Sequence, residues 1–180
     1  MIYLDNNSTT QIDKDVLDEM MPYLNEMYGN SASRTHKFGW EANDAVKLSR
    51  ERVSSLINAK PDEIIFTSGS TEGINFLIKG VYDQYSDKGN HINTVKTEHK
   101  AVLDVCAYLE TKGADVTYLN VDEDGLIDLE ELKKAITEKT ALISVMYANN
   151  ETGVIQEINE IGNIARKNNL FFMTDATQAI

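Results

Sequence analysis

Residues 92–109 read INTVKTEHKAVLDVCAYL, and this stretch decides the fold. It starts with a short apolar run rich in branched residues and passes through a polar turn. It then places Val102, Cys106 and Leu109 at helical spacing. Short, uninterrupted apolar runs of this kind are expected of strands that are buried on both faces. The stretch therefore predicts a strand that leads through a polar turn into a helix.

The same alternation extends in both directions along the chain. Apolar runs predict further strands at residues 1–4, 64–66, 116–119, 141–146 and 170–173. Helical periods lie between the later runs, and two more helices are predicted earlier, over residues 13–27 with a disturbance at Pro22 and around residues 42–57. This order favours an α/β fold with a mainly parallel sheet wrapped by helices, whose ligand crevice lies beyond the carboxyl ends of the strands.

Composition excludes several classes of protein. The 180 residues are 42% hydrophobic and 26% charged, which is typical of a globular domain rather than a disordered or fibrous chain. The net charge of −12 would repel phosphate backbones and anionic lipid, so neither nucleic acid nor a membrane is expected as a partner. No stretch has the composition of a linker or a repeat, so no internal boundary is predicted within residues 1–180.

Cysteine content and the amino terminus indicate a compartment. Cys106 is the lone cysteine and permits no internal disulfide, and its apolar helical neighbours favour a buried structural thiol. The chain opens on a strand-like segment rather than a charged start and a long apolar run, and no apolar stretch is long enough to span a membrane. These features predict a cytoplasmic protein.

The strand at residues 64–66 is followed by Thr-Ser-Gly-Ser-Thr-Glu at residues 67–72, a turn rich in hydroxyl groups that opens onto a helix. The free N–H groups of a helix start and the hydroxyls of Ser70 and Thr71 suit a phosphate group. The turn lacks the ending of a Walker loop and the spacing of a dinucleotide fingerprint, so no nucleotide site is indicated. The alternative is a plain N-cap by Ser70 or Thr71.

Polar residues also follow three other predicted strands. His99 is a candidate acid or base, or a ring that lies flat on an aromatic ligand; the alternative is a solvated or capping histidine. Asn149 and Asn150 offer amide groups in a loop, or form a turn in which asparagine tolerates unusual backbone angles. Asp175 ends a buried apolar strand and needs a partner. A protonated pyridine nitrogen would be such a partner, and pyridoxal phosphate has both that ring and a phosphate.

Six stretches together carry a resemblance to a known family. They lie, in the family's order, at residues 3–10, 29–36, 66–72, 97–102, 149–153 and 175–178. With them the chain resembles the class V, fold-type I enzymes that depend on pyridoxal 5'-phosphate, and within that class the cysteine desulfurases of the NifS/IscS type. The resemblance covers the whole chain and implies the large domain of this fold, in incomplete form.

The resemblance implies a role for each matching residue. Ser70 and Thr71 would hold the cofactor phosphate, and His99 would stack on the ring and assist proton transfers as the catalytic residue. Asn150 would contact the phenolic oxygen and the substrate. Asp175 would pair with the pyridine nitrogen.

Gln178 would bond near the phenolic oxygen, again as the resemblance implies. No metal site is predicted. In such enzymes L-cysteine is converted to alanine and its sulfur is transferred to an enzyme cysteine as a persulfide, for iron–sulfur cluster or other sulfur-compound biosynthesis. Members are homodimers with cofactor sites at the subunit boundary, so a homodimer is expected, with a sulfur acceptor or an iron–sulfur scaffold protein as a further partner.

The chain also departs from the family. The lysine that binds the cofactor covalently, the cysteine that carries the persulfide and the arginine that binds the substrate carboxylate all follow the matched motifs and are absent from these residues. The chain thus resembles the amino-terminal half, and the 180 residues alone are expected to be inactive. The alternatives are another class V lyase or aminotransferase, or a half-protein without enzymatic activity that binds the cofactor or a partner.

A competing motif lies at residues 120–131, whose acidic residues and Gly125 fall close to the spacing of an EF-hand calcium loop. The preceding run looks like a strand rather than an entering helix. The other interpretation is a turn at Asp124 and Gly125, followed by Asp128 as an N-cap and Glu131 closing a capping box. A calcium-binding module at Asn120 to Glu131 is a further alternative.

Overall fold

The computed structural model describes residues 2–4, 6, 9–87, 89–177 and 179. The chain forms two compact units, Met1–Phe66 and Thr67–Ile180. Neither the composition nor the hydropathy of the sequence marks this division with a linker. Among the described residues, no helix combines the length and the apolar character needed to cross a bilayer.

The described residues of the first unit form two helices, α1 (Lys14–Asn25) and α2 (Lys37–Leu56), and a 3₁₀ turn at Pro61–Glu63. Both predicted helices are confirmed, and Pro22 lies inside α1. Each begins at a side-chain cap: an Asp13 carboxylate oxygen accepts from the Asp15 N–H at 2.8 Å, and the His36 ring accepts from the Gly39 N–H at 3.3 Å. Helix α1 buries none of its residues within this structure.

The prediction of a strand at residues 64–66 is wrong. Ile64 is extended and buried, but Phe66 is about half exposed, and no described strand pairs with this segment. The Ile64 carbonyl instead accepts a hydrogen bond from Arg50, whose guanidinium lies 4.9 Å from the centre of the Phe66 ring. An extended segment becomes a strand only when a neighbour supplies a ladder of hydrogen bonds. Residues 2–4 likewise form no strand, and Met1 lies outside the described residues.

The second unit is a parallel sheet covered by helices. Its strands are β1 (His91–Val95), β2 (Asp115–Leu119), β3 (Thr140–Ser144) and β4 (Phe171–Met173), and its helices are α3 (Ser70–Tyr85), α4 (Lys100–Glu110), α5 (Leu129–Ala135) and α6 (Ile158–Lys167). The strands lie in the order β2-β1-β3-β4, and every pair is parallel. The predicted α/β fold with a mainly parallel sheet wrapped by helices is confirmed.

Two apolar cores lie in this second unit because successive strand residues point to opposite faces of the sheet. One core joins α3 and α4 to Ile92, Leu142 and Met173. The other joins α5 and α6 to Val95, Ile143 and other strand residues. Cys106 is fully buried in the first core, and burial raises the pKa of its thiol to about 12. The predicted structural thiol is thereby confirmed.

His91 ties the amino end of β1 to both neighbouring strands. Its ring nitrogens lie 2.8 Å from Thr140 Oγ1 and 2.9 Å from Thr117 Oγ1. The residue is only 2% exposed, and burial lowers the pKa of the ring against the opposing effect of Asp115. This buried network, at the amino end of β1, therefore links β1 to both β2 and β3.

The acidic loop at residues 120–131 folds as a turn followed by a helix cap. An Asp122 carboxylate oxygen accepts from the N–H groups of Asp124 and Leu126 at 3.0 and 2.9 Å, and Gly125 has a φ of 84°. Asp128 caps α5 by accepting from Glu130 N–H at 2.7 Å. Within the described ranges, no group of three or more His, Cys, Asp or Glu side chains is placed to hold a metal ion. This geometry favours the turn and N-cap interpretation over a calcium loop.

Replacing the cap tests this interpretation. We expect Asp128→Ala to lower the free energy of unfolding by about 1 kcal/mol, because α5 loses the acceptor of its first N–H groups. Urea denaturation followed by circular dichroism measures the change. Asp124→Ala is the matched control, since that exposed side chain accepts no hydrogen bond from any described residue. It should change stability by less than about 0.5 kcal/mol. Equal effects of the two substitutions would contradict the assignment of the cap.

Candidate functional site

The carboxyl edge of the sheet brings together the segments that follow β1, β3 and β4. The Asn149 amide Nδ2 donates to the Thr97 carbonyl at 2.9 Å, which ties the loop after β3 to the turn after β1. The Tyr147 N–H donates to the Asp175 carbonyl at 2.8 Å, which ties the same loop to the end of β4. Hydrogen bonds therefore join three of the segments singled out from the sequence along one edge of the sheet.

Asn149 shapes the loop through its side chain. Its Oδ1 accepts from the N–H groups of Glu151 and Thr152 at 2.9 and 2.8 Å. The expected turn is confirmed, but the unusual backbone angles expected in it are not, because neither Asn149 nor Asn150 has a positive φ. Asn150 is partly buried beside this turn. The turn chemistry belongs to Asn149, which leaves Asn150 as the residue assigned to a ligand by resemblance.

Helix α3 begins without a side-chain cap. Gly69 occupies the N-cap position, and Ser70 and Thr71 are the first two helical residues, both exposed. The alternative of an N-cap by Ser70 or Thr71 is therefore wrong. The first N–H groups of a helix have no intrahelical partner, and no side chain in the described part of the chain caps them here. A Cβ added at Gly69 would meet no atom within 4 Å, so this helix start borders open space.

The direction of α3 places this start at the carboxyl edge. At the other end of the helix, the Tyr85 ring lies 4.8 Å from the ring of Phe171, the first residue of β4. Sixteen residues of α-helix span about 24 Å, so Ser70 lies toward the edge where the strands end. The positive end of the helix dipole and two hydroxyl groups are thus available to an anion on the same side as Asp175.

Glu72 lies in the first turn of α3 and is directed back onto the preceding loop. One of its carboxylate oxygens accepts from both the N–H and the hydroxyl of Ser68 at 2.6 Å. These two hydrogen bonds lower the pKa of the exposed Glu72 carboxyl. The Thr67 hydroxyl donates to the Gly69 carbonyl at 3.0 Å. The loop is therefore held by its own side chains, while Ser70 and Thr71 make no such local bond.

His99 is the N-cap of α4. Its Nδ1 accepts from the Ala101 N–H at 3.1 Å, and the side chain is exposed. This hydrogen bond confirms the capping interpretation. Because Nδ1 accepts, the proton of the neutral ring lies on Nε2. The ring is thus held in one tautomer by the helix it caps, and its stacking and proton-transfer roles stay predictions.

Asp175 has a local partner. Its Oδ1 accepts from the N–H and the hydroxyl of Thr177, at 3.1 and 2.5 Å, and the residue is only partly buried. This turn satisfies one carboxylate oxygen and does not require a ligand. Gln178, the other residue predicted in this motif, lies outside the described residues.

Glu98 is the site residue that sequence reasoning missed. It is 6% exposed, and its Oε1 accepts from the Met146 N–H at 2.6 Å. Its Oε2 is buried and has no hydrogen-bond partner among the described residues. Burial, with a smaller contribution from the charge of Asp175, raises the pKa of this carboxyl to about 8 against the opposing effect of the Met146 N–H. The one available signal was a carboxylate in the turn that follows a buried strand, similar to the signal that singled out Asp175.

These residues fit a phosphate-bearing aromatic cofactor. The uncapped start of α3 beside Gly69 suits a phosphate group, and a carboxylate, an amide and an imidazole follow the strands at the same edge. The class they define is an α/β enzyme domain with its ligand crevice at the carboxyl edge of a parallel sheet.

The chain belongs to the class V aminotransferase family, whose family model, "Aminotransferase class-V", matches residues 2–180. Members of this class depend on pyridoxal 5'-phosphate. Similar curated proteins include "Cysteine desulfurase IscS" of Ehrlichia chaffeensis, 58% identical over 178 residues. Another is "Probable cysteine desulfurase, mitochondrial" of Dictyostelium discoideum, 56% identical over 179 residues. Each comparison covers 99% of this chain, but only 43% and 40% of the relative.

Solved structures agree with the family. A "NIFS-LIKE PROTEIN" matches with a TM-score of 0.96 and 42% identity, covering 99% of this chain and 50% of that one. A structure titled "SspA in complex with cysteine" matches with a TM-score of 0.95 and 37% identity, covering 99% of this chain and 51% of that one. The expected resemblance to NifS/IscS-type proteins is confirmed, and the chain spans less than half the length of the curated relatives that it matches.

Proposed function

We propose that these residues form the amino-terminal part of a cysteine desulfurase of the NifS/IscS type. The proposed enzyme converts L-cysteine to L-alanine with pyridoxal 5'-phosphate and passes the sulfur to an enzyme cysteine as a persulfide. The observation that carries the proposal is the uncapped start of α3, which borders open space at the sheet edge where Asp175 lies. The similarity to curated cysteine desulfurases over 99% of this chain supports it.

The residues of this chain have separate tasks in the proposed site. The first N–H groups of α3 and the hydroxyls of Ser70 and Thr71 bind the phosphate and fix the cofactor's orientation. Asp175 would hold the proton on the ring nitrogen of the cofactor. His99, with its own proton on Nε2, would stack on that ring and transfer protons. When bound, the cofactor withdraws electrons from the substrate's α carbon. Asn150 and Gln178 bind the cofactor near its phenolic oxygen.

Cys106 is not suited to accept the sulfur of the substrate. Cys106 is fully buried, and its thiol, with a pKa of about 12, is protonated at neutral pH. A thiol in this state cannot attack substrate sulfur, so we propose that the 180 residues alone do not turn over L-cysteine. The proposed partners are L-cysteine, a second copy of the protein in a homodimer, and a sulfur acceptor or iron–sulfur scaffold protein. The proposed compartment is the cytoplasm.

The experiment that tests the activity supplies pyridoxal 5'-phosphate and L-cysteine to the full-length protein. We expect alanine and, with a reducing thiol, sulfide in equal amounts. Both products are quantified after separation, because each reports a different half of the reaction. A full-length protein that binds the cofactor and releases neither product would contradict the desulfurase assignment and favour another class V lyase or aminotransferase.

The phosphate site has its own prediction. We expect Ser70→Ala and Thr71→Val each to weaken binding of pyridoxal 5'-phosphate by roughly 10-fold or more, since a hydrogen bond to a charged group contributes about 1.5 to 3 kcal/mol. Fluorescence titration of the full-length protein measures the dissociation constant. Pyridoxal, which lacks the phosphate, should bind the variants and the wild type equally well.

Ser86→Ala is the matched control, because Ser86 lies at the opposite end of the same helix. It should leave the affinity for pyridoxal 5'-phosphate unchanged. An equal loss of affinity for pyridoxal and for its phosphate in Ser70→Ala would show that the substitution damages the fold rather than the phosphate site.

A further inference from the structure

The turn after β1 and the loop after β3 hold each other through two reciprocal hydrogen bonds. From the turn, Glu98 Oε1 accepts from the Met146 N–H at 2.6 Å. From the loop, Asn149 Nδ2 donates to the Thr97 carbonyl at 2.9 Å. Each segment thus supplies one side chain that binds the backbone of the other. These two hydrogen bonds form a clamp between the segments.

The clamp lies where the sheet register no longer fixes the spacing of the two segments. The register of β1 with β3 ends at Asn93 and Ile143, before the last residue of either strand. Glu98 is only 6% exposed, so its hydrogen bond to Met146 is shielded from water that would compete for both groups. The clamp therefore takes the place of ladder hydrogen bonds at the carboxyl edge.

Each side of the clamp lies next to a residue assigned to the cofactor. His99 directly follows Glu98 and is held at the start of α4, where its Nδ1 accepts from the Ala101 N–H at 3.1 Å. Asn150 directly follows Asn149 and lies within the turn that Asn149 Oδ1 closes. A displacement at the clamp would move His99 and Asn150 relative to each other, because one peptide unit separates each of them from it.

The loop after β3 is held together internally, so the clamp positions it as a unit. The Gly153 N–H donates to the Asn149 carbonyl and the Asn149 N–H donates to the Val154 carbonyl, both at 2.8 Å. The Gln156 N–H donates to the Tyr147 carbonyl at 2.9 Å. Loss of the clamp would therefore displace the whole loop relative to the turn after β1.

We propose that Glu98 and Asn149 are positioning residues whose clamp fixes the His99 ring relative to the Asn150 amide across the carboxyl edge of the sheet. Neither positioning side chain needs to touch the cofactor for this role. The effect of the clamp on catalysis rests on the proposed function, because that function assigns His99 and Asn150 to the cofactor.

Matched substitutions remove each half of the clamp separately. Glu98→Gln keeps an oxygen that can accept from the Met146 N–H, whereas Glu98→Leu has a similar volume and no acceptor. Burial raises the pKa of Glu98 to about 8, so glutamine resembles the neutral acid that we expect near pH 7. Asn149→Asp keeps the Oδ1 that closes the turn and loses the donor to Thr97.

Nitrogen-15 NMR of the full-length protein without cofactor tests whether the clamp couples the two segments. Each substitution is read out on the opposite segment. We expect Asn149→Asp, on the loop, to shift or broaden the ring-nitrogen signals of His99. We expect Glu98→Leu, on the turn, to shift or broaden the side-chain amide signal of Asn150, and Glu98→Gln to leave that signal close to wild type.

A purely local role would change signals only within the substituted segment, so the absence of both effects across the clamp would overturn the proposal. Glu151→Gln controls for the charge that Asn149→Asp introduces. It changes the charge of the same loop by one unit while its backbone N–H still donates to Asn149 Oδ1, and it should leave the His99 signals in place. If Glu98→Leu fails to fold, the effect of Asn149→Asp on His99 decides the question.

Steady-state kinetics of the full-length protein test the consequence for catalysis. We expect Glu98→Leu and Asn149→Asp each to lower kcat by roughly 10-fold or more, with a smaller change in the KM for L-cysteine, because the clamp aligns catalytic groups. Glu98→Gln should recover most of the kcat that Glu98→Leu loses. Asp128→Ala, which removes the cap of α5, controls for lost stability and should keep the wild-type kcat. A higher KM with an unchanged kcat in both clamp variants would overturn the positioning role.

The two measurements separate this inference from the proposed function. Effects across the clamp in a full-length protein that does not turn over L-cysteine would contradict the proposed function and support the clamp. Turnover of L-cysteine by a protein in which neither His99 nor Asn150 responds across the clamp would support the proposed function and overturn the inference.

Discussion

The free energy of unfolding of Glu98→Gln, measured relative to wild type, is expected to increase by about 3 kcal/mol as the pH rises from about 5.5 to about 7.5. The reason is that folding raises the pKa of Glu98 to about 8 from its ordinary value of 4.5. For a raised acid pKa, the contribution of the group to stability is complete below the ordinary pKa and is lost as the pH rises toward the folded value. Glutamine has no proton to gain on folding, so Glu98→Gln does not lose stability in this way.

Urea denaturation at several pH values measures the difference in the free energy of unfolding between the two proteins. This difference cancels the contributions of the other titrating groups that both share. Measurements start above pH 5 because the sequence pI is about 4.6, where low net charge promotes precipitation. Glu123→Gln is the control, since it removes an exposed carboxylate, and its stability should run parallel to wild type. A constant difference between Glu98→Gln and wild type would show that Glu98 is charged in the folded protein.

Leu132→Ala is expected to lower the free energy of unfolding by about 2 to 5 kcal/mol. Leu132 is fully buried on α5, in the core that joins α5 and α6 to Val95 and Ile143 of the sheet. Truncation removes apolar area from the core and leaves a cavity that rigid strands close only in part. The same urea experiment at one pH measures the effect.

Leu77→Ala provides the comparison, because Leu77 lies on helix α3 of the same compact unit but is 50% exposed. It should cost less than about 1 kcal/mol. Similar losses for the two substitutions would show that the α5 and α6 side of the sheet is not packed as the structure has it. A large loss for Leu132→Ala alone supports the packing of α5 in the second core.

Most of the second unit was predictable from the sequence. Its four strands and the helices between them follow from apolar runs and helical spacing, since the burial of each face dictates the period. The strand predicted at residues 64–66 failed because a strand also needs a neighbour. Its apolar pattern is that of a strand, but the Ile64 carbonyl binds Arg50 rather than a strand partner. Periodicity describes one segment and cannot report the pairing of two.

The candidate site was predictable in outline. His99, Asn150 and Asp175 were singled out because the carboxyl ends of parallel strands meet at one edge. Glu98 escaped notice because its role depends on a bond to Met146, 48 positions away. The bond of Asn149 to Thr97, 52 positions away, could not be predicted either. The alternative of a Ser70 or Thr71 N-cap for α3 was wrong. A hydroxyl-rich turn has the same sequence pattern whether a side chain or a ligand binds the first N–H groups of the helix.

The sequence by itself determined the order of strands and helices and the motifs that place the chain in its family, because both depend on which residues stand near one another along the chain. The tertiary structure alone decided which segments pair as strands, that Gly69 rather than a serine or threonine begins α3, and that the deeply buried carboxyl is Glu98 rather than Asp175. Those features depend on solvent exposure and on hydrogen bonds between distant segments, and these exist only once the sheet has formed.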